Sequence, residues 1–196
     1  VRQPARIALD LLYRAGLAWD DDLAPVAAVG ADGLHILGQQ IPRGLGCVTT
    51  TSMGRLFDAV ASLLGLCQTV SYEGQAAVEL EALARSGLTR GSPVALDFDV
   101  NGGLMDPAPV IAGLVAGLRA GTDRSDLAAG FHHAVVRSTA AAALDCARAA
   151  GVPVIGLTGG VFANRILLQG LRQTLSNRGH EVLTHRIVPC NDGGLA

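Results

Sequence analysis

Apolar residues recur at helical spacing along most of this chain and alternate at strand spacing in only a few places. The clearest pattern lies in residues 51–66. There Leu56, Phe57, Val60, Leu63 and Leu64 fall on one face at a period of 3.6. Thr51 or Ser52 can cap the start, and Gly65 supplies the stop. Gly54 and Asp58 lie one turn apart and share a side of this helix. A glycine there either admits a close neighbouring element or lets a ligand reach the backbone. A carboxylate one turn further on can accept from hydroxyls such as a ribose diol.

Helical spacing extends to other stretches. Ile7, Ala8, Leu11 and Leu12 predict a helix over 4–15 that Gly16 ends. One or two short helices are expected within 26–40, and another over about 76–86, stopped by Gly87. Asp106 and Pro107 are a cap and first-turn pair for a helix running to about Arg119. A longer, Ala-rich helix follows over about 125–150. Strand spacing shows where Val94, Leu96, Phe98 and Val100 alternate with Ala95, Asp97 and Asp99. That predicts a strand over 92–100 with one wet face, turned by Asn101-Gly102-Gly103. An apolar run over 152–158 leads into Gly159 and Gly160, then a helix over about 163–178. A further strand is expected over 181–188. Strand, glycine turn and helix together aim backbone amides at an anion. Asn164, in the first turn, adds a side chain able to read an adenine edge or a sugar. Strands alternating with long helices predict an α/β layered domain.

Composition narrows the chemistry. The 196 residues are 49% hydrophobic and 16% charged, so the chain is globular, with a formal net charge of −2. That balance gives no electrostatic footprint for nucleic acid. All 15 basic residues are Arg and none is Lys. A phosphate-loop lysine, a kinase-type lysine and a Schiff-base lysine are therefore excluded. Cys47, Cys67, Cys146 and Cys190 are too widely spaced for a zinc ribbon and fit reduced thiols in a cytoplasm. No charge-free apolar run is long enough to span a bilayer.

Several polar clusters compete for attention. Asp20-Asp21-Asp22 reads as a solvated loop rather than a cation site. Asp97 and Asp99 face solvent. His132 and His133 point about 100° apart on one helix and make poor joint ligands. Glu73 sits before a helix start, where a carboxylate is favoured. Asp192 leaves a strand just before glycines, where it either shapes a turn or reaches a metal.

Four ordered blocks carry a family resemblance: Thr51-Ser52-Met53-Gly54-Arg55-Leu56-Phe57-Asp58-Ala59-Val60, Ser71-Tyr72-Glu73-Gly74-Gln75-Ala76-Ala77, Thr158-Gly159-Gly160-Val161-Phe162-Ala163-Asn164-Arg165, and Asn191-Asp192-Gly193-Gly194. Together they resemble the C-terminal, Kae1-like domain of the HypF family, the carbamoyltransferases that mature [NiFe]-hydrogenases. The resemblance implies an actin-like ATPase (ribonuclease-H-like) α/β domain with a mixed sheet flanked by helices. It makes residues 1–196 a domain fragment, partial at both ends, of a longer polypeptide.

The resemblance also implies a chemistry. Carbamoyl-adenylate, made from ATP and carbamoyl phosphate at a separate domain, gives its carbamoyl group to the C-terminal cysteine of a HypE-like acceptor protein. That step serves synthesis of the cyanide ligand. Gly54, Asp58, Gly159, Gly160 and Asn164 would then bind the nucleotide, and Glu73 and Arg55 would line the site. Asp192 matches the family's metal ligand and carries the catalytic assignment, with a divalent metal as cofactor. The family's His-x-x-x-His pair is absent here and is expected upstream, so this chain alone is not expected to be competent. Thr158 and Ala163 depart from the family's usual Ser and Gln. Two alternatives stand beside this reading: a tRNA threonylcarbamoyladenosine transferase, against which Arg55 speaks, and a non-catalytic nucleotide-binding scaffold.

Overall fold

A computed structural model describes residues 3–91, 93–101 and 103–191. Seven α-helices and four short strands are present among them. Helices α1 (Pro4–Arg14) and α2 (Ala24–Arg43) form a pair, joined through a loop in which Asp20 and Asp22 bind Arg119 at 2.6 and 2.9 Å. The acidic loop stays exposed to solvent, as expected, with two of its three carboxylates also paired to a guanidinium. α2 is a single 20-residue element broken at Gly30, whose φ of 71° is open to glycine at no steric cost.

Helix α3 (Met53–Leu63) is the centre of the domain. The periodicity predicts one apolar face, yet every residue from 57 to 63 is buried. Ala59, Ala61 and Ser62 occupy the side expected to be wet, and their small side chains let α1, α2, α4 and α5 approach from around it. Ser62 remains satisfied: its hydroxyl donates to Gln68 Oε1 at 2.5 Å, and Gln68 Nε2 donates back to the Ser62 carbonyl at 2.9 Å. Ser52 stands at the N-cap of α3 without a side-chain capping bond, and Gly65 follows the helix with φ 73°.

Helix α4 (Gln75–Arg90) runs through Gly87, the expected stop, and ends at Gly91. Gly87 serves packing instead. A Cβ there would collide with the Ser125 carbonyl at the start of α6 (Arg124–Ala150). Asp123 caps α6, its carboxylate accepting from the Ser125 amide at 2.8 Å. The Ser125 hydroxyl, then that bond from the amide, then Arg90, hold the Asp123 carboxyl down to about 2. Helix α5 (Ala108–Arg119) starts where Asp106 Oδ1 accepts from the Ala108 amide at 2.9 Å.

The strands form two separate pairs. β1 (Asp99–Asn101) and β2 (Leu104–Asp106) are antiparallel, with Val100 opposite Met105. β3 (Val154–Leu157) and β4 (Glu181–Thr184) are parallel, with Ile155 opposite Val182. The strand expected over 92–100 is confined to its last residues. Its alternation is nonetheless real, since Leu96 and Phe98 are buried while Asp97 and Asp99 are exposed. Between β3 and β4 the chain makes a 3-10 turn (Gly160–Ala163) and helix α7 (Arg165–Ser176). The core spans all seven helices; Leu9, Leu12, Phe57, Leu63, Leu80, Ile111, Leu114, Phe131 and Leu167 are among its members. Each such side chain contributes roughly 1.5–3 kcal/mol on burial.

Candidate functional site

Gly54, Arg55 and Asp58 all project from the first turns of α3. Asp58 is 7% exposed, and its Oδ2 accepts from Arg55 Nη1 at 2.6 Å. Burial pushes the Asp58 carboxyl up, and the Arg55 guanidinium pulls in the opposite direction. Beyond its own helix, a Cβ built on Gly54 would meet only Ser52 Oγ, at 3.6 Å. Packing therefore does not require glycine there, in contrast with Gly87, and the backbone of the first turn stays approachable.

The 70–74 turn closes over the same end of α3. Arg55, Asp58, Val70, Ser71, Tyr72, Glu73 and Gly74 enclose a cleft of about 310 Å³. Two blocks distant in sequence thus meet at one site. Gly74 reaches φ 81° to start α4, and the Ser71 amide donates to Gln75 Oε1 at 2.7 Å, which sets the turn. Glu73 is exposed and makes no capping bond to α4. Arg55 also lines a larger groove of about 430 Å³ on its other side, with Thr50, Thr51, Ser52 and Phe98.

The glycine turn is a separate feature, in contact with α3 through the 3-10 turn. Gly159 has φ 110°, and its amide donates to the Cys190 carbonyl at 2.9 Å. That amide shapes the turn rather than facing an anion. Gly160 begins the 3-10 turn, where the first amides lack intrahelical acceptors. The segment leaving β4 folds back onto it: Asn191 Cβ would lie 3.7 Å from a Cβ on Gly160, and His185 Nε2 is 2.8 Å from Thr158 Oγ1. Asp192, Gly193 and Gly194 lie outside the described residues.

Asn164 is the N-cap of α7, not a member of its first turn. Its Oδ1 accepts from the Leu167 amide at 3.1 Å, and its Nδ2 lies 3.0 Å from His132 Nε2. Periodicity gave no sign of this partner across 32 positions. Glu81 on α4 was equally invisible: its Oε1 accepts from the Arg165 amide at 3.2 Å at the same helix start.

Among the described residues no group of three or more His, Cys, Asp or Glu side chains is placed to hold a metal. His180 pairs with the Pro153 carbonyl, and Asp97 with Arg137. The described side chains do not make a metal site by themselves.

Comparison with known proteins gives the family and the fold. The family model described as "Carbamoyltransferase, Kae1-like Domain, second subdomain" matches residues 1–196. Carbamoyltransferase HypF of Rhizobium leguminosarum bv. viciae is 36% identical over 196 residues, covering 100% of this chain and 24% of that protein. Its counterpart in Rhodobacter capsulatus is 39% identical over 196 residues, covering 99% and 24%. The chain therefore spans about a quarter of the length of these relatives. A crystal structure of full-length HypF in the phosphate- and nucleotide-bound form superposes with a TM-score of 0.86 at 32% identity, over 100% of this chain and 25% of that one. Fold and sequence define a mixed α/β domain of the Kae1-like carbamoyltransferase class. The chain belongs to the HypF carbamoyltransferase family.

Proposed function

We propose that this domain binds an adenylate and contributes to transfer of a carbamoyl group from carbamoyl-adenylate to a cysteine thiol at the C-terminus of a HypE-like acceptor protein, in the cytoplasm. The observation that carries the proposal is the single cleft made by Arg55 and Asp58 of α3 and by residues 70–74. Asp58 offers a buried carboxylate, one oxygen of which is paired with Arg55, to a diol, and Gly54 leaves room beside it. The solved relative described as phosphate- and nucleotide-bound supports a nucleotide as the ligand.

In the reaction, the acceptor thiolate adds to the carbamoyl carbon. The C–O bond to AMP then breaks, and AMP leaves with the electron pair. Holding nucleotide and thiolate together makes the attack effectively unimolecular. Gly160, at the start of its turn, presents backbone amide to the phosphate. Asn164 meets the base or sugar through the one N–H and one lone pair that its amide has left. The described residues do not by themselves supply a ligand set for a divalent metal. Asp192 remains the proposed ligand, with partners from outside this chain. Carbamoyl phosphate and ATP enter as the source of the adenylate.

Calorimetry with AMP tests the reading. Asp58→Ala in the polypeptide that carries this domain weakens AMP binding by about 1–3 kcal/mol, the scale of a charged hydrogen bond. Unchanged affinity would remove Asp58 from the site. A second reading, threonylcarbamoyl transfer to tRNA, has one supporting observation: the tRNA N6-adenosine threonylcarbamoyltransferase of Sorangium cellulosum is 30% identical over 159 residues, covering 78% of this chain and 43% of that enzyme. Arg55 and the net charge of −2 weigh against it. Mass spectrometry of acceptor protein and tRNA after incubation distinguishes the two products.

A further inference from the structure

His132 lies on α6 with no exposed surface, enclosed by Phe57 of α3 and by Phe131, whose ring centroids are 5.3 and 5.8 Å away. Both ring nitrogens are engaged. Nδ1 lies 2.8 Å from the Ala128 carbonyl, and Nε2 lies 3.0 Å from Asn164 Nδ2. The proton positions follow from these partners. The Leu167 amide can only donate, so Asn164 must turn its oxygen toward it. The Asn164 amino group then faces His132, whose Nε2 must accept. The Ala128 carbonyl can only accept, so Nδ1 carries the hydrogen. One neutral tautomer satisfies every atom, and a charged imidazole would set an N–H against an amino group.

From this chain of partners we infer that His132 is a positioning residue for the proposed nucleotide site: together with the Leu167 amide it fixes which way the Asn164 amide is turned and holds its amino end in place, and so sets which donor and acceptor that amide has left for a ligand. The inference rests on the functional reading above for the ligand, but not for the bond itself. Rotating the Asn164 amide by 180° would exchange its donor and acceptor and would break both the helix cap and the bond to His132. The groups facing His132 do not replace it. Glu81 of α4 is committed to the Arg165 amide and to Arg85, and His133, the next residue on α6, is only partly buried. The arrangement is built in, since α6, α7 and α3 each contribute one part of it.

The test uses the polypeptide that carries this domain, with AMP as probe. Nitrogen-15 NMR of the wild-type imidazole at neutral pH shows His132 protonated on Nδ1 alone. His132→Leu fills the space but accepts nothing, and it weakens AMP binding roughly tenfold, as loss of one oriented hydrogen bond does. His132→Gln restores most of that affinity, because its Oε1 takes the place of Nε2. A proton on Nε2 in the wild type overturns the inference. So does AMP affinity in folded His132→Leu equal to wild type, or loss in both variants that merely tracks their thermal midpoints. If His132→Leu does not fold, the tautomer and His132→Gln decide. A wild type that binds no AMP sinks the functional reading, while the tautomer still judges the bond.

Discussion

Burial of His132 among aromatic rings lowers its pKa from 6.5 to about 4. The unfolded chain therefore takes up the proton first as pH falls. The stability tied to neutral His132 is fully present above pH 6.5 and is lost progressively between 6.5 and about 4. Its size is on the order of 3 kcal/mol. Urea denaturation at a series of pH values in that window should show the loss, and His132→Gln should flatten it. A wild-type stability constant from pH 7 to pH 4 would contradict the neutral, fully bonded ring. Asp58 behaves in the opposite sense. Its raised carboxyl pKa means that ionising it works against folding as pH rises through the acidic range, with Arg55 offsetting part of that penalty. A carboxylate kept for the proposed ligand would carry such a penalty.

Two glycines on neighbouring helices separate packing from access at the scale of the element. Replacing Gly87 of α4 drives a methyl into the backbone of α6, so Gly87→Ala should destabilise by about 1–3 kcal/mol despite the better helix propensity of Ala. Gly54→Ala meets only Ser52 Oγ and gains that propensity, so it should leave thermal stability unchanged or raise it by up to about 1 kcal/mol. AMP affinity should nonetheless fall in Gly54→Ala. Thermal melts and calorimetry on the pair check both statements.

The same pair marks what the sequence made legible. The positions of α1, α3, α5 and α6 followed from apolar spacing and caps, because those signals are local. The role of Gly87 did not, because the atom that requires it lies on another helix. Alternation at Val94, Leu96 and Phe98 reports which way side chains face and says nothing about a ladder partner, so a strand was expected where only 99–101 pair. Within the site, Arg55, Asp58 and Glu73 were readable as candidates, and their meeting in one cleft is a tertiary fact. The His132–Asn164 bond spans 32 positions and carries no periodic trace.

Among the described residues the helices hold most of the core, and the strands lie at its edge, with Leu157 of β3 entering it. β1 and β2 are exposed along nearly their full length, and in the parallel pair Val154 and Leu183 are open to solvent. Amide hydrogen exchange should therefore be slowest in α3 and the buried part of α6, and fastest in the β1–β2 hairpin, with β3 and β4 between. Equal protection of α3 and the hairpin would contradict this hierarchy. No helix among the described residues is long and apolar enough to cross a membrane.

Residues 42–52, the last two of α2 and the link from it to α3, are exposed without a break. The two helices hold on by other means, since Leu9, Leu12 and Leu23 are buried in the common core around α3. Cutting that strap should leave the halves together. With no lysine in the chain, trypsin is restricted to arginines, and Arg43 sits at the strap's edge in full view of solvent. Brief digestion should yield fragments 1–43 and 44–196 that co-elute in gel filtration and part only in denaturant, so the domain could be assembled from two separately made pieces.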